Sequence, residues 1–229
     1  MDGDRSAAFT RPDRVRTEAD RTTRRPIGIV ADMVTSDPST PLTPGAQRVL
    51  DAASELFYER GIHAVGVDGI AEAAGVTKKT LYDRFGSKEA LVVAYLRARD
   101  ARWREHLLAT LDRVPSPGPD RVLAVFDAAE TWSTANSPRG CSAINARAES
   151  SAGDGDAVLA EVTAQKAWQV DLLSELCREA GAQEPEDTAR ALMLLYEGAI
   201  VTVGMGTFDR PFARARAVAA AVLAAGLPG

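Results

Sequence analysis

Apolar residues that return every three or four positions between punctuating glycines and prolines limit the folds open to this chain more than any other feature. Thr43-Pro44 offers a capping hydroxyl followed by a first-turn proline. Val49, Leu50, Ala53, Leu56 and Phe57 then recur at helical spacing, and Gly61 supplies a stop. Short helices are expected over about Val67–Ala74 and Lys78–Phe85. A long one should run from Lys88 to about Arg113, opened by Ser87 and ended by Pro115, Pro117, Gly118 and Pro119. Further helices are expected over about Asp120–Ala135, Ser142–Ser151, Asp156–Ala180, Pro185–Val203 and Phe212–Ala225. No stretch alternates as a strand does, and aromatic residues make up only 6%, so the expected class is all-α.

The 229 residues suit one or two domains with a sizeable core. No apolar run approaches the roughly 20 residues of a membrane helix, and Pro26–Val34 is too short and lacks a cleavage pattern. No membrane partner is therefore expected. Two cysteines, Cys141 and Cys177, cannot build a disulfide framework, so a reducing cytoplasm is the expected setting. The two histidines, His63 and His106, join no cluster with metal-ligand spacing, and neither a metal nor a cofactor is expected. Residues 1–42 lack apolar periodicity and read as a disordered arm; Met33 is an alternative start of translation to Met1.

The formal net charge of −5 is unevenly spread. Seven arginines balance seven acids in residues 1–44, residues 45–95 carry −1, and residues 96–229 carry −4. Three of the four lysines, Lys78, Lys79 and Lys88, fall within eleven residues. Together with Arg84, and against Asp83 alone, they give Thr77–Lys88 a local +3. Such a cluster points to a small anion-binding face, although charge alone favours an ordinary solvated helix surface.

Spacing separates these readings. In Ile70-Ala71-Glu72-Ala73-Ala74-Gly75-Val76-Thr77-Lys78-Lys79-Thr80-Leu81-Tyr82, Ala71 is small where a second helix must approach. Gly75 stands four residues later, where a tight turn needs positive φ. Val76 and Leu81 would anchor the second helix, Ile70 and Ala74 would seat the pair on the preceding one, and Thr77 would cap. Lys78, Lys79 and Thr80 then fall in the turn that meets base edges when such a helix enters the major groove.

The stretch Val49–Tyr95 resembles the DNA-binding domain of the TetR family of transcriptional regulators. The likeness rests on Ala52-Ala53, Leu56-Phe57, Gly61, Val67, Ile70-Ala71, Ala74-Gly75-Val76, Thr80-Leu81-Tyr82, Phe85 and Ser87-Lys88-Glu89-Ala90-Leu91. Arg139–Glu149 is similar to a segment of one subgroup. The resemblance implies a helix-turn-helix domain of three helices over 43–87, followed by a helical ligand-binding and dimerisation domain over 88–229. It also implies a ligand-responsive, sequence-specific DNA-binding regulator, most often a repressor released from its operator by a small molecule. Thr77, Lys78, Lys79 and Thr80 would meet bases or nearby phosphates, Tyr82 a phosphate through its hydroxyl, and Lys88 a phosphate by charge, while Phe85 would wedge against Phe57. The chain departs from the pattern at three places. Val65-Gly66 lacks the usual hydroxyl, Lys79 replaces a glycine, and Arg84 replaces a histidine.

A family member would pair as a homodimer through its two C-terminal helices and bind a palindromic double-stranded operator, with half-sites about 34–36 Å apart or a multiple of that. Ala191, Leu192, Leu194, Leu195, Ala199 and Val201, then Val218, Ala219, Val222 and Leu223, make those helices apolar around most of their circumference. Trp103, His106, Phe126, Trp132, Asn145, Trp168, Met193 and Tyr196 are candidate lining for a largely apolar effector, and core packing is the competing role for each. Cys141, just ahead of a helix, and Cys177 raise a thiol-sensing alternative. A second alternative is an all-helical small-molecule carrier or enzyme that does not bind DNA. Catalysis is not expected, because no nucleophile elbow or His/Asp/Ser set is present, and Gly204-Met205-Gly206-Thr207 reads as a helix end.

Overall fold

Side-chain hydroxyls cap the starts of three helices of this protein, at Thr43, Thr77 and Ser87, and glycine ends two of them, at Gly61 and Gly86. The computed structural model describes residues 42–150, 156–207 and 209–227. The arm expected over 1–42, Leu42 excepted, and the choice between Met1 and Met33 lie outside the described residues. In chain order the helices are α1 (Pro44–Arg60), α2 (Val67–Ala73), α3 (Lys78–Phe85), α4 (Lys88–Leu111) and α5 (Pro119–Asn136). They continue with α6 (Ser142–Glu149), α7 (Asp156–Glu179), α8 (Pro185–Thr202) and α9 (Pro211–Gly226). Among the described residues the fold is all-α, as the periodicity predicts. No helix among them is long and apolar enough to cross a membrane.

Capping follows the sequence closely. Thr43 Oγ1 accepts from the Ala46 N–H at 3.3 Å, and Ser87 Oγ accepts from Ala90 at 3.0 Å. Each satisfies one of the donors a helix start leaves free. Helix ends differ from expectation by a residue or two, for local reasons. α4 stops at Leu111 rather than Arg113, because Arg121 reaches back from α5 and donates to the carbonyls of Leu111 (3.1 Å) and Val114 (2.8 Å). α6 stops at Glu149 rather than Ser151: Ser150 is extended, and the Glu149 carboxylate accepts from the His63 N–H at 2.8 Å.

The interior forms two apolar clusters. One gathers α1, α2 and α3 around Val49, Phe57, Ile70 and Leu81. It includes the first half of α4 (Leu91, Val92, Tyr95, Leu96), with Ala143 and Ala146 of α6 and Val158 and Val162 of α7. The other joins the second half of α4 (Trp103, Leu107, Leu111) to α5, α7, α8 and α9. The division falls within α4, so one continuous helix belongs to both. Leu96 is completely buried near that junction. Truncating it to alanine should lower the unfolding free energy by about 2–5 kcal/mol in urea titrations, the cost of a buried leucine cavity.

Candidate nucleic-acid interface

The turn between α2 and α3 is closed by backbone bonds. Ala74 N–H donates to Ile70 (2.9 Å), Gly75 to Glu72 (3.0 Å) and Val76 to Ala71 (3.0 Å). Gly75 takes φ +63°, which a residue with a Cβ tolerates poorly. Arg48 of α1 donates through Nε to the Ala74 carbonyl at 3.2 Å and ties the turn to the first helix. Ile70, Ala71, Ala74 and Leu81 are buried beneath it, as the pattern predicts, and Val76 and Phe85 are half-buried against the same cluster.

Thr77 caps α3, its Oγ1 accepting from the Thr80 N–H at 3.2 Å and lying 3.0 Å from Thr80 Oγ1. Thr77, Lys78, Lys79, Thr80 and Tyr82 are all exposed, so five of the six residues expected at DNA are open to solvent at the start and middle of α3. Lys88 is placed differently. It is half-buried with its ammonium 6.0 Å from the centroid of the Phe57 ring, where burial holds its pKa below the ordinary lysine value against the pull of Glu149. The two exposed lysines carry intramolecular counterions. Lys78 Nζ lies 2.7 Å from Asp68, whose hydrogen bond raises the lysine pKa, and Lys79 Nζ lies 2.6 Å from Asp83. Both pairs are solvated, so a phosphate can displace either carboxylate at small cost.

At α2 the missing hydroxyl has a visible consequence. Gly66 stands at the N-cap with ordinary extended angles and no side-chain bond, and Val65 is buried in the first cluster.

A second group of residues links this head to the rest of the chain. The Tyr58 hydroxyl donates to the Gly140 carbonyl (3.1 Å) and accepts from the Arg139 N–H (3.0 Å). Arg99 lies 4.0 Å over the Tyr58 ring and donates to Ser137 Oγ at 2.8 Å. Arg139 also donates to the Glu59 carbonyl. The segment 136–141 is thereby fastened to the end of α1.

Beside it lies a cavity of about 50 Å³ lined by Trp103, Trp132 and Tyr196, three of the eight expected lining residues. Phe126 and Met193 are buried in the second cluster, and the Phe126 ring packs against Tyr196. His106 stacks between Trp103 and Trp132, with Nε2 3.0 Å from Thr131 Oγ1. Trp168 is half-exposed under the Arg104 guanidinium, 4.0 Å from its ring. Asn145 is exposed, not a buried amide; it donates to the Arg139 carbonyl at 3.1 Å and bounds no part of the cavity.

Cys141, singled out in sequence as a thiol, lies on the cavity; sequence reasoning missed the rest of its polar side, Arg99, Asp100, Gln165, Lys166 and Gln169. A usable signal existed. Val158, Val162, Gln165, Gln169, Leu172 and Leu176 of α7 follow one another at four- and three-residue spacing, so the two buried glutamines stand in a seam where apolar residues belong. Lys166 Nζ lies 2.7 Å from Glu197 Oε1 and 3.5 Å from Cys141 Sγ. Burial pulls the lysine pKa down, but the charges of Cys141 and Glu197 outweigh it and keep the ammonium. Burial pushes the Tyr196 phenol far up, so the hydroxyl is neutral.

An exposed, capped, cationic helix seated on a helix-turn-helix and carried by a helical body defines a DNA-binding transcriptional regulator. The model of the bacterial regulatory proteins of the tetR family matches residues 49–95. The crystal structure of SCO4454, a TetR-family regulator from Streptomyces coelicolor, is 31% identical, with a TM-score of 0.72 over 81% of this chain and 97% of that one. A TetR regulator of Streptomyces avermitilis superposes at 0.70, with 28% identity over 81% of this chain and 98% of its own. HTH-type regulator Rv1255c of Mycobacterium tuberculosis is 28% identical over 69% of this chain and 85% of its own length. The chain belongs to the TetR family. Regulators of this family bind DNA operators and dimerise.

Two glycine substitutions should have opposite effects on stability. No atom lies within 4 Å of a Cβ built at Gly75, so Gly75→Ala isolates the backbone strain and should destabilise by about 1–2 kcal/mol. Gly66→Ser, also unobstructed, adds an N-cap acceptor and should stabilise by about 0.5–1 kcal/mol. Chemical denaturation of both variants measures the contrast.

Proposed function

We propose that the chain is a cytoplasmic repressor that binds a palindromic operator as a homodimer and releases it when a small molecule enters the body of the protein. The observation that supports the DNA contact is the exposure of Thr77, Lys78, Lys79, Thr80 and Tyr82 along the first turns of α3, where only Leu81 is buried. Thr77–Thr80 stand at the end of α3 that would enter the groove. Tyr82, one turn on, is 44% exposed, and no core packing accounts for its ring. Lys88 would reach a phosphate only by leaving the Phe57 ring, so its share is the smallest. The domains over 43–87 and 88–229 divide the work, with Tyr58, Arg99 and Arg139 carrying strain from one to the other.

Dimerisation is supported by the faces that α8 and α9 leave open. Leu194 is 75% exposed, and Gly198 and Val201 follow on the same side at four- and three-residue spacing. On α9, Val218, Ala221 and Ala225 form a matching exposed stripe. Small residues and isolated large apolar ones at helical spacing fit two α8–α9 pairs packed as a four-helix interface. The cavity favours a compact effector with polar groups over the largely apolar one expected from composition, because five charged or amide side chains reach it.

Binding to duplex fragments selected from random sequence should weaken by about 1–3 kcal/mol in Lys78→Ala and in Tyr82→Ala, with melting temperatures unchanged. Parental affinity in both variants overturns the contact assignment. The parent should also show a steep fall of affinity with salt. Introducing Leu194→Glu together with Val218→Glu should give a folded monomer in sedimentation, because charge at a packed interface centre costs about 2 kcal/mol or more per site.

A further inference from the structure

Lys78 opens α3, and its ammonium is not free: it lies 2.7 Å from the carboxylate of Asp68, in the first turn of α2. Both ends of this pair are anchored. Thr77 caps the start of α3, accepting from the Thr80 N–H at 3.2 Å, and the N–H groups of Gly75 and Val76 close the turn onto α2. Only the lysine stem is left loose, and Asp68 ties its far end. The hydrogen bond from Asp68 raises the Lys78 pKa, so the group stays an ammonium.

The local role of Asp68 does not call for this contact. An acid in the first turn complements the positive end of a helix without leaving it, and α2 takes no side-chain cap. The other lysine pair is different in kind. Lys79 and Asp83 stand four residues apart on α3, the ordinary spacing of a helix-surface pair. Lys78 and Asp68 instead join two helices, and they do so at the end of α3 that would enter the groove. The Asp68 side chain is 77% exposed, so a carboxylate stands open where phosphates would approach, and it repels them. With both pairs closed, the half-buried Arg84 is the one α3 cation without a carboxylate partner among the described residues. A helix so balanced has a weak hold on the phosphates of arbitrary sequence.

We propose that Asp68 is a specificity-determining residue for DNA recognition that acts by positioning Lys78, which deepens the DNA-binding reading above and rests on it. Asp68 fixes the ammonium where the operator presents base acceptors and holds it back from the phosphates of other sequences. An ammonium has three donors. One faces Asp68, which leaves two for adjacent acceptors, the pattern that guanine O6 and N7 offer in the major groove. On the operator the pair stays closed and both remaining donors are used. On other sequences either a phosphate displaces the carboxylate or the two donors find no base, and the Asp68 charge opposes the approach in both cases. A lysine without Asp68 has no such preference, because its flexible stem reaches a phosphate at any register.

The test compares the selected duplex with one of shuffled sequence, at one fixed salt concentration, for the full chain and its variants. Asp68→Asn keeps the size of the side chain and removes its charge. It should melt like the parent and bind the selected duplex no more tightly. The shuffled duplex should bind about threefold to fivefold more tightly, the span open to an exposed ion pair. In the Lys78→Ala background the same change should leave the ratio of the two affinities as it is, because the residue it acts through is gone. Selection from random sequence should show preference relaxed at the same guanine position in Asp68→Asn and in Lys78→Ala. The proposal is overturned if Asp68→Asn preserves the ratio, if it lowers the ratio equally in the Lys78→Ala background, or if it retains every base preference that Lys78→Ala loses. Failure of the parent to prefer any sequence overturns the sequence-specific reading and this role of Asp68 with it, and is told apart because it appears in the parent.

Discussion

The apolar stripe of α4 is the constraint on which the rest of this structure depends. Leu91, Val92, Tyr95 and Leu96 complete the cluster beneath the helix-turn-helix, and Trp103, Leu107 and Leu111 of the same helix complete the cluster of the C-terminal bundle. A helix cannot slide in one core without moving in the other, because close-packed interiors resist small displacements. The head that meets DNA and the body that would meet an effector are therefore mechanically joined before any ligand is considered.

A second joint runs beside the first. The segment 136–141 bonds to Tyr58, Arg99 and Glu59 with directional polar contacts, where α4 supplies broad apolar ones. Apolar packing tolerates little change in volume, whereas hydrogen bonds tolerate little change in direction. Together they join the segment that ends at Cys141 to α1.

Charge shows a comparable economy. The lysines of α3 are held by Asp68 and Asp83, in pairs open to water, whereas Lys166 is held by Glu197 inside the molecule. The first two pairs exchange partners readily. The half-buried one is held more firmly because breaking it leaves a charge in a less solvated place. The same residue type thus serves an exchangeable contact at the open surface and a more firmly held one where it is largely covered.

What was legible in the sequence was whatever depends on neighbours along the chain. The helices, the caps at Thr43, Thr77 and Ser87, the glycine turn at Gly75 and the burial of Leu81 all follow from spacing within one or two turns, and the structure bears them out. The exposed face of α3 follows from the same periodicity. The cavity did not. Cys141 and Lys166 are 25 residues apart, and Glu197 is 31 beyond Lys166, so no local pattern joins them. Asn145, a candidate lining residue or a surface one in sequence, is exposed, because α6 turns that side outward. Likewise Lys88 looked free and rests on Phe57, since the start of α4 lies against α1. Local sequence determined the helices and the cationic character of α3; only the packing of distant helices decided which polar side chains share a cavity, because that depends on contacts the chain makes after it has folded back on itself.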